Sequence, residues 1–338
     1  MSGGKGVITV IAAVVLGLLS TTASAQFAER KIKISTGLAE DNPVGVGIKK
    51  MQEVLTAKSG GKMKIRASGA AALGPDTQMQ QALIGGAQEM MVGSTATLVG
   101  LSPEMAVWDT PFLFSNAKEA DVVLDGPVGE KVKATLEPKG MVGLVYWENG
   151  FRNLTNSKRL IKSVDDIAGL KVRVVQSPTY LDTWTALGAN AVPMPITEVY
   201  TAMEQKMIDG HENPFTVIEA NKFYEVQKYL SFTKHSYTPT LVMVSKKLWD
   251  TLSPVEQKTL KECAVEGRDV QRKANADAET KSVEMMKKKG IAVNDVSPAE
   301  LQRIRDKTKP ISDAYAAKLN PEAVSMVFNE LKVIRGGK

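Results

Sequence analysis

The sequence predicts an α/β fold, a doubly wound parallel sheet joined from near residue 151 by a second α/β unit. Three observations carry this. Strand-like and helix-like segments alternate early in the chain in the order β-α-β-α-β, the order that crossover helices between parallel strands produce. The strand-like segments alternate apolar and polar residues, whereas the helix-like ones bring apolar residues back every three or four positions. The 338 residues are 43% hydrophobic and 24% charged, which gives core enough for two domains.

The elements follow in order. "RKIKIST" (30–36) alternates, with Ile32 and Ile34 on one face. After a turn at "EDNP", "VGVGIKKMQEVLTAKSGG" is an amphipathic helix with Ile48, Met51, Val54 and Leu55 inward, stopped by Gly60-Gly61. "KMKIRAS" is a second alternating strand. "GPDTQMQQALIGG" opens on Pro75 and Asp76 and closes on glycines, a short helix. "QEMMVGST" is a third strand running into a polar turn, and "GMVGLVYWENG" a buried fourth. Beyond it Ser163 stands three before Asp166, a capping-box-like start, and Gly169 closes that turn. "KVRVV" is a strand, "SPTYLDTWTALG" a helix with Leu181, Trp184 and Leu187 inward, and "ANAVPMP" is extended. "TEVYTAMEQKMIDG" reads as a helix capped by Thr197, and "HENPFTVIEANKFYEVQKYLS" as a loop and another helix. "TPTLVMVSKKLW" reads as a strand returning to the first sheet, before long charged helices at about 253–289 and 297–318.

The first residues stand apart. One lysine, an apolar run from Val7 to Leu19 and Ala23-Ser24-Ala25 make the pattern of a secretory signal, with cleavage expected after Ala25. That run is short for a membrane span, so the expected mature chain is soluble and exported to a bacterial periplasm. The single cysteine, Cys263, allows no internal disulfide, and its helical spacing from Leu260 makes it a packed thiol. The net charge of +6 is mild and interleaved; no basic stripe of the kind nucleic acid requires is present. The two histidines, His211 and His235, lack the further Cys or His partners that zinc ligation needs. No metal or cofactor is expected. The glycines of "NPVGVGIKK" lack the third glycine of a dinucleotide loop and the Lys-Ser pair of a phosphate loop.

What remains is polar residues at strand ends, where open α/β sheets bind ligands. Four turns qualify: "VGSTAT" (93–97), "WENGFRN" (147–153), "RVVQSP" (173–178) and "DGHENPF" (209–215). They hold two arginines, Arg152 and Arg173. A guanidinium is a planar fork that pairs with a carboxylate through two parallel hydrogen bonds. Period-two alternation sends Val172 and Val174 to one face and Arg173 to the other, so two such arginines suggest an anion-binding cleft. The competing readings are a surface place for Arg152, pairing of Arg173 with Asp165 or Asp166, and a solvated turn for Glu148. Trp108 and Trp147 are read as core rather than as platforms for a sugar.

With these turns in hand the chain resembles the solute-binding proteins of tripartite ATP-independent periplasmic (TRAP) transporters, of the DctP type. The resemblance covers essentially the whole mature chain. It rests on "WENGFRNLTNSKRLIKSVDDIAGLKVRV", "LGANAVPMPITEVYTAMEQKMIDGHENP" and "NKFYEVQKYLSFTKHSYTP", supported by "LSPEMAVWDTPFLF". It implies a two-lobed periplasmic binding protein fold with a hinge and long shared helices. Lobe I would comprise 26–150 plus about 239–278, and lobe II 151–238 plus about 279–334. It implies that Arg173 pairs bidentately with a ligand carboxylate, that Arg152 is a second contact, and that Asn213 reaches the ligand. Gln176 and Asp76 stand at positions that can touch it. Ser94 and Thr97 replace the larger charged residues of sialic-acid binders, and Glu148 in "WENG" is similar to members that bind sugar acids such as uronates or keto-gulonates. The partners implied are a small organic acid and the TRAP membrane permease subunits, with the binding protein itself a monomer and not an enzyme. The alternatives are a C4-dicarboxylate or other carboxylate as ligand, a periplasmic enzyme acting on sugar acids, and a sensor subunit.

Overall fold

The structure, a computed structural model, describes residues 27–337; the expected signal segment 1–25 lies outside them. The chain opens with β1 (Arg30–Thr36), α1 (Pro43–Lys58), β2 (Met63–Ser68), α2 (Asp76–Gly85) and β3 (Met90–Ser94). Both pairings of β1, with β2 and with β3, are parallel, as the alternating pattern requires. Two helices with no counterpart in the sequence reading follow, α3 (Ala117–Asp125) and α4 (Pro127–Ala134). Then comes β4 (Met141–Asn156), a strand of 16 residues.

The second unit repeats the pattern with β5 (Lys171–Val174), α5 (Pro178–Ala186), β6 (Asn190–Pro193), α6 (Ile196–Glu204), β7 (Gly210–Asn213) and α7 (Phe215–Ala220). Strand β5 is parallel to both β6 and β7. The chain then returns through β8 (Tyr229–Ser245), turns in α8 (Lys246–Trp249), and runs along α9 (Pro254–Lys288), β9 (Ala292–Asp295), α10 (Pro298–Lys318) and α11 (Pro321–Ile334).

These strands form one nine-stranded sheet in the order β2-β1-β3-β8-β4-β7-β5-β6, with β9 on β8. The doubly wound parallel expectation therefore holds at the two ends and is corrected in the middle. There β3–β8, β4–β8 and β4–β7 are antiparallel, because β8 comes back against strands that left the first unit in the opposite sense. Three local expectations change with it. "WENGFRN" is no turn but the middle of β4, and "GHEN" is strand β7. Helix α6 starts at Ile196 behind Pro195, so Thr197 lies inside its first turn and does not cap it. On α5 the inward side chains are Thr179, Tyr180, Thr183, Trp184 and, just beyond its end, Leu187, with Leu181 half-buried. The capping box at Ser163 forms as read, Asp166 accepting from the Ser163 N–H at 2.8 Å.

Four apolar clusters hold the sheet. Ile32, Ile48, Met51, Trp147, Leu260 and Cys263 meet under α1 and α9, so the cysteine is a packed thiol, its pKa raised by burial to about 12. Met91, Trp108, Tyr146 and Leu241 fill the opposite face. In the second unit Val172, Val174, Trp184 and Ile304 pack under α5 and α10, and Val199, Met203, Phe223 and Met286 under α6 and α9. Helix α9, 35 residues and on the order of 50 Å long, starts in a Ser253/Glu256 capping box and touches both the α1 and the α7 side. The packing of α1 against β4 and α9 needs Gly47: a Cβ there would stand 2.6 Å from Trp147 and 2.9 Å from Gln271. Among the described residues no helix is long and apolar enough to cross a membrane.

Strand β4 carries the detail that matters most for the site. It pairs with β8 along its length but with β7 only from Asn153 onward. Upstream, its other edge has no strand beside it, and buried strand carbonyls must find donors elsewhere. Side chains supply them at every second residue: Lys133 Nζ donates to Leu144 O at 2.7 Å, Arg272 Nη2 to Tyr146 O at 3.4 Å, and Gln271 Nε2 to Glu148 O at 2.7 Å. One step on, the register slips, with Glu148 opposite Pro239 and Gly150 opposite Thr238. Asn149 is the extra residue of this bulge, and Gly150 takes the φ of 116° that a side chain would resist.

Candidate functional site

A cavity of about 670 Å³, counting its mouth, opens where the first unit faces the second. The first unit contributes Thr36 at the end of β1, Asp76 at the start of α2, and Ser94 and Thr97 after β3. The second contributes Arg173 and Gln176 from β5 and its turn, and Asn213 from the end of β7. Between them lie Asn149 and Arg152 of β4 and Thr240 of β8. Of the residues read from the sequence, Asp76, Ser94, Thr97, Arg152, Arg173, Gln176 and Asn213 thus line this one cavity.

Glu148 is not among them. The bulge carries it to the opposite side of β4 from Asn149, against α9 and α3. Burial, then Asp121 and Glu279, push its carboxyl up to about 7, against the pull of Arg272 and of a hydrogen bond with Asn275. Sequence reading stopped one residue short because an inserted residue reverses the facing of a strand. The local sign of it was Gly150.

The two arginines are both buried, at 2% exposure for Arg152 and 3% for Arg173, and differ in their partners. Arg152 is matched by Glu212 of β7, whose carboxylate takes Nε and Nη2 of the fork, the latter at 2.7 Å. Nη2 also donates to Glu212 O at 2.6 Å and to Asn213 Oδ1 at 3.1 Å, and the guanidinium stacks over the Tyr180 ring at 5.1 Å. His235 closes the network, its Nε2 3.0 Å from the same carboxylate. Burial alone would raise the Glu212 pKa; Arg152 and His235 outweigh it and hold the carboxyl at about 2. Sequence reading missed Glu212, which stands 60 residues from Arg152 and meets it only through the β4–β7 register.

Arg173 has no such match. Its Nε and Nη2 donate to one neutral acceptor, the Met194 carbonyl, at 2.9 and 2.6 Å, and among the described residues it makes no ion pair. The acids it was weighed against are engaged elsewhere: Asp165 pairs with Arg303 at 2.9 Å, and Asp166 caps the Ser163 turn. Burial pushes the Arg173 pKa down to about 9, with the like charge of Arg152 adding to it against the opposing pull of Glu212 and Asp76. Among the described residues nothing accepts from its Nη1, and a buried cation without a paired acid is costly to hold.

The surrounding polar groups are partly committed and partly free. Asp76 accepts from the Ser94 N–H at 3.1 Å, and its recess pushes its pKa up. Thr97 accepts from Gln80 at 2.7 Å and donates to Ser94 O at 2.8 Å. Asn213 is oriented from both ends, donating to His211 Nδ1 at 3.0 Å while accepting from Arg152. Burial, followed by Arg173, pushes His211 down to about 3, so its ring is neutral. The hydroxyls of Ser94 and Thr240 are buried without a hydrogen-bond partner among the described residues. No cluster of three or more His, Cys, Asp or Glu able to hold a metal ion occurs among the described residues. One unmatched cation, a recessed acid and unsatisfied hydroxyls make a wall suited to one carboxylate followed by hydroxyl groups.

Comparison with known proteins agrees. Residues 34–319 match the family described as DctP, bacterial extracellular solute-binding protein, family 7. The 2,3-diketo-L-gulonate-binding periplasmic protein YiaO of Escherichia coli is 37% identical over 275 residues, 81% of this chain and 84% of that protein. Among solved structures, the sugar acid binding protein DctPAm of Advenella mimigardefordensis, in complex with galactonate, is 44% identical. It superposes with a TM-score of 0.88 over 90% of this chain and 98% of its own. A TRAP periplasmic solute-binding protein from Bradyrhizobium, in complex with galacturonate, is 33% identical with a TM-score of 0.86, covering 90% of this chain and 100% of its own.

Proposed function

The chain belongs to the DctP family of bacterial extracellular solute-binding proteins, and from that premise we propose that it captures a six-carbon sugar acid and delivers it to a TRAP membrane permease. The observation that carries the reading is Arg173, a buried guanidinium that makes no ion pair among the described residues, in a cavity lined by the unpartnered hydroxyls of Ser94 and Thr240. A ligand carboxylate on the uncommitted edge of Arg173 supplies the missing charge. Ser94, Thr240 and Asn149 then meet the hydroxyls along the chain of the acid. The relatives that bind galactonate, galacturonate and 2,3-diketo-L-gulonate support the same ligand class.

The charge count favours a monocarboxylate over a C4-dicarboxylate. The cavity has two cations, but Glu212 already neutralises Arg152, which leaves one for a ligand carboxylate. The role is capture, not conversion. Lobe I, 26–150 plus about 239–278, and lobe II, 151–238 plus about 279–334, close over the acid by a hinge. Closure follows because the ligand binds the closed state more tightly. Calorimetry with galactonate, galacturonate and succinate tests the reading, paired with recovery of the ligand after incubation. The expected result is tight binding of a sugar acid returned unchanged. Binding of succinate alone overturns the ligand class, and turnover of a bound acid overturns the role.

A further inference from the structure

The geometry points to Gln271 of α9 as a positioning residue for ligand recognition, acting through Asn149. This rests on the sugar-acid reading above and concerns how the cavity wall is aimed.

Two peptide groups of a strand normally face two of a neighbour; at Glu148 there is no neighbour on that side. The Gln271 carboxamide takes the place of one. Its Oε1 accepts from the Glu148 N–H at 3.0 Å and its Nε2 donates to the Glu148 carbonyl at 2.7 Å. A carboxamide has one acceptor oxygen and a donor nitrogen side by side, so it mimics a strand peptide where neither a carboxylate nor an alkyl chain can. Gln271 is wholly buried, at 0% exposure, which fixes its rotamer and leaves no water to substitute for it.

What it holds is the residue before the bulge. Pinned at both polar groups, Glu148 cannot slide along β8, and the extra residue must be accommodated at Asn149. The pin also decides sides: the Glu148 carboxyl goes toward Asn275 of α9, and Asn149 goes to the cavity. The Asn149 carboxamide makes no hydrogen bond among the described residues, so its aim comes from the backbone alone. One turn along α9, Asn275 accepts from Thr216 of α7 at 3.2 Å. The same face of α9 thus ties the bulge to the helix that follows Asn213. Without the Gln271 pin the register of the bulge can relax, and the first group it misdirects is Asn149.

A double-mutant cycle in the full chain tests this, with galactonate as the probe and calorimetric Kd as the readout. Asn149→Ala and Gln271→Leu are each expected to weaken binding roughly tenfold, and the double variant by roughly the same tenfold, because both remove one interaction. A role for Gln271 in stability alone lowers the melting temperature without this coupling. Losses that multiply to about a hundredfold, or a Gln271→Leu chain that binds as the parent does, overturn the assignment. Gln271→Glu, which keeps the acceptor and loses the donor, is measured beside it so that poor folding of the leucine variant does not decide the matter. Failure of the parent chain to bind galactonate overturns the functional reading and this inference with it. Additive losses in a chain that does bind overturn this inference only.

Discussion

Strands β4 and β5 each bring one buried arginine to the same cavity, and the two regions solve the same electrostatic problem in opposite ways. On β4 the charge of Arg152 is met inside the chain by Glu212, with His235 and Tyr180 around it. On β5 Arg173 has one carbonyl as its hydrogen-bond partner and no ion pair among the described residues, with Glu212 and Asp76 acting on it only at longer range. A buried ion pair completes a fold; a buried ion alone leaves a demand that only something from outside can meet. The comparison teaches that burial and residue type do not identify a ligand-binding group. The missing partner does.

The largest effect should come from breaking the matched side. Arg152→Met leaves Glu212 buried without its cation, at a cost of about 3–5 kcal/mol of stability, read as a drop in denaturation midpoint. Adding Glu212→Gln should restore a good part of it; a double variant as unstable as the single one would show that the pair is not what holds β4 to β7. Breaking the unmatched side should do the reverse. Arg173→Met is expected to weaken galactonate binding by about 2–5 kcal/mol, roughly 30-fold or more, while the melting temperature of the free protein holds or rises. Loss of stability without loss of affinity would reverse the roles assigned to the two arginines.

Glu148 offers a third, smaller lever. Its carboxyl is pushed up to about 7 in the folded chain, from an ordinary value of 4.5. The folded state therefore keeps a proton that the unfolded chain releases, and stability falls as pH rises between those values. Glu148→Gln should match the parent near pH 4 and exceed it at pH 8 by roughly 1–3 kcal/mol. Asp109, raised to about 7 by burial, gives a trend of the same sign, so the difference between variant and parent isolates Glu148. The smallest effect is expected at Arg303, paired with Asp165 on the surface at 47% and 66% side-chain exposure. Arg303→Ala should change stability by no more than about 1 kcal/mol, the benchmark against which the buried arginines are judged.

Much of this was legible in the residues. The order β1–α1–β2–α2–β3, the long helices α9 and α10, and the facing of Arg173 away from Val172 and Val174 all follow from local periodicity, which sequence records directly. The sense in which strands meet is not local. The pattern of "TPTLVMVSKKLW" says strand, but nothing in it says that β8 runs antiparallel to both β3 and β4. The length of β4 was hidden for a related reason: Asn149 and Gly150 have the composition of a turn, and only the pairing with β8 shows them to be a bulge. Glu212 was invisible as the partner of Arg152 because its position depends on a register between strands far apart in the chain. Arg173 could be singled out from its strand, whereas its lack of a partner had to be seen in three dimensions.

The side chains that cap the edge carbonyls of Leu144, Tyr146 and Glu148 have a last consequence. An uncapped row of such groups would invite a strand from another molecule. With Lys133, Arg272 and Gln271 already seated there, this stretch of β4 offers a second copy of the chain no row of free acceptors to pair with.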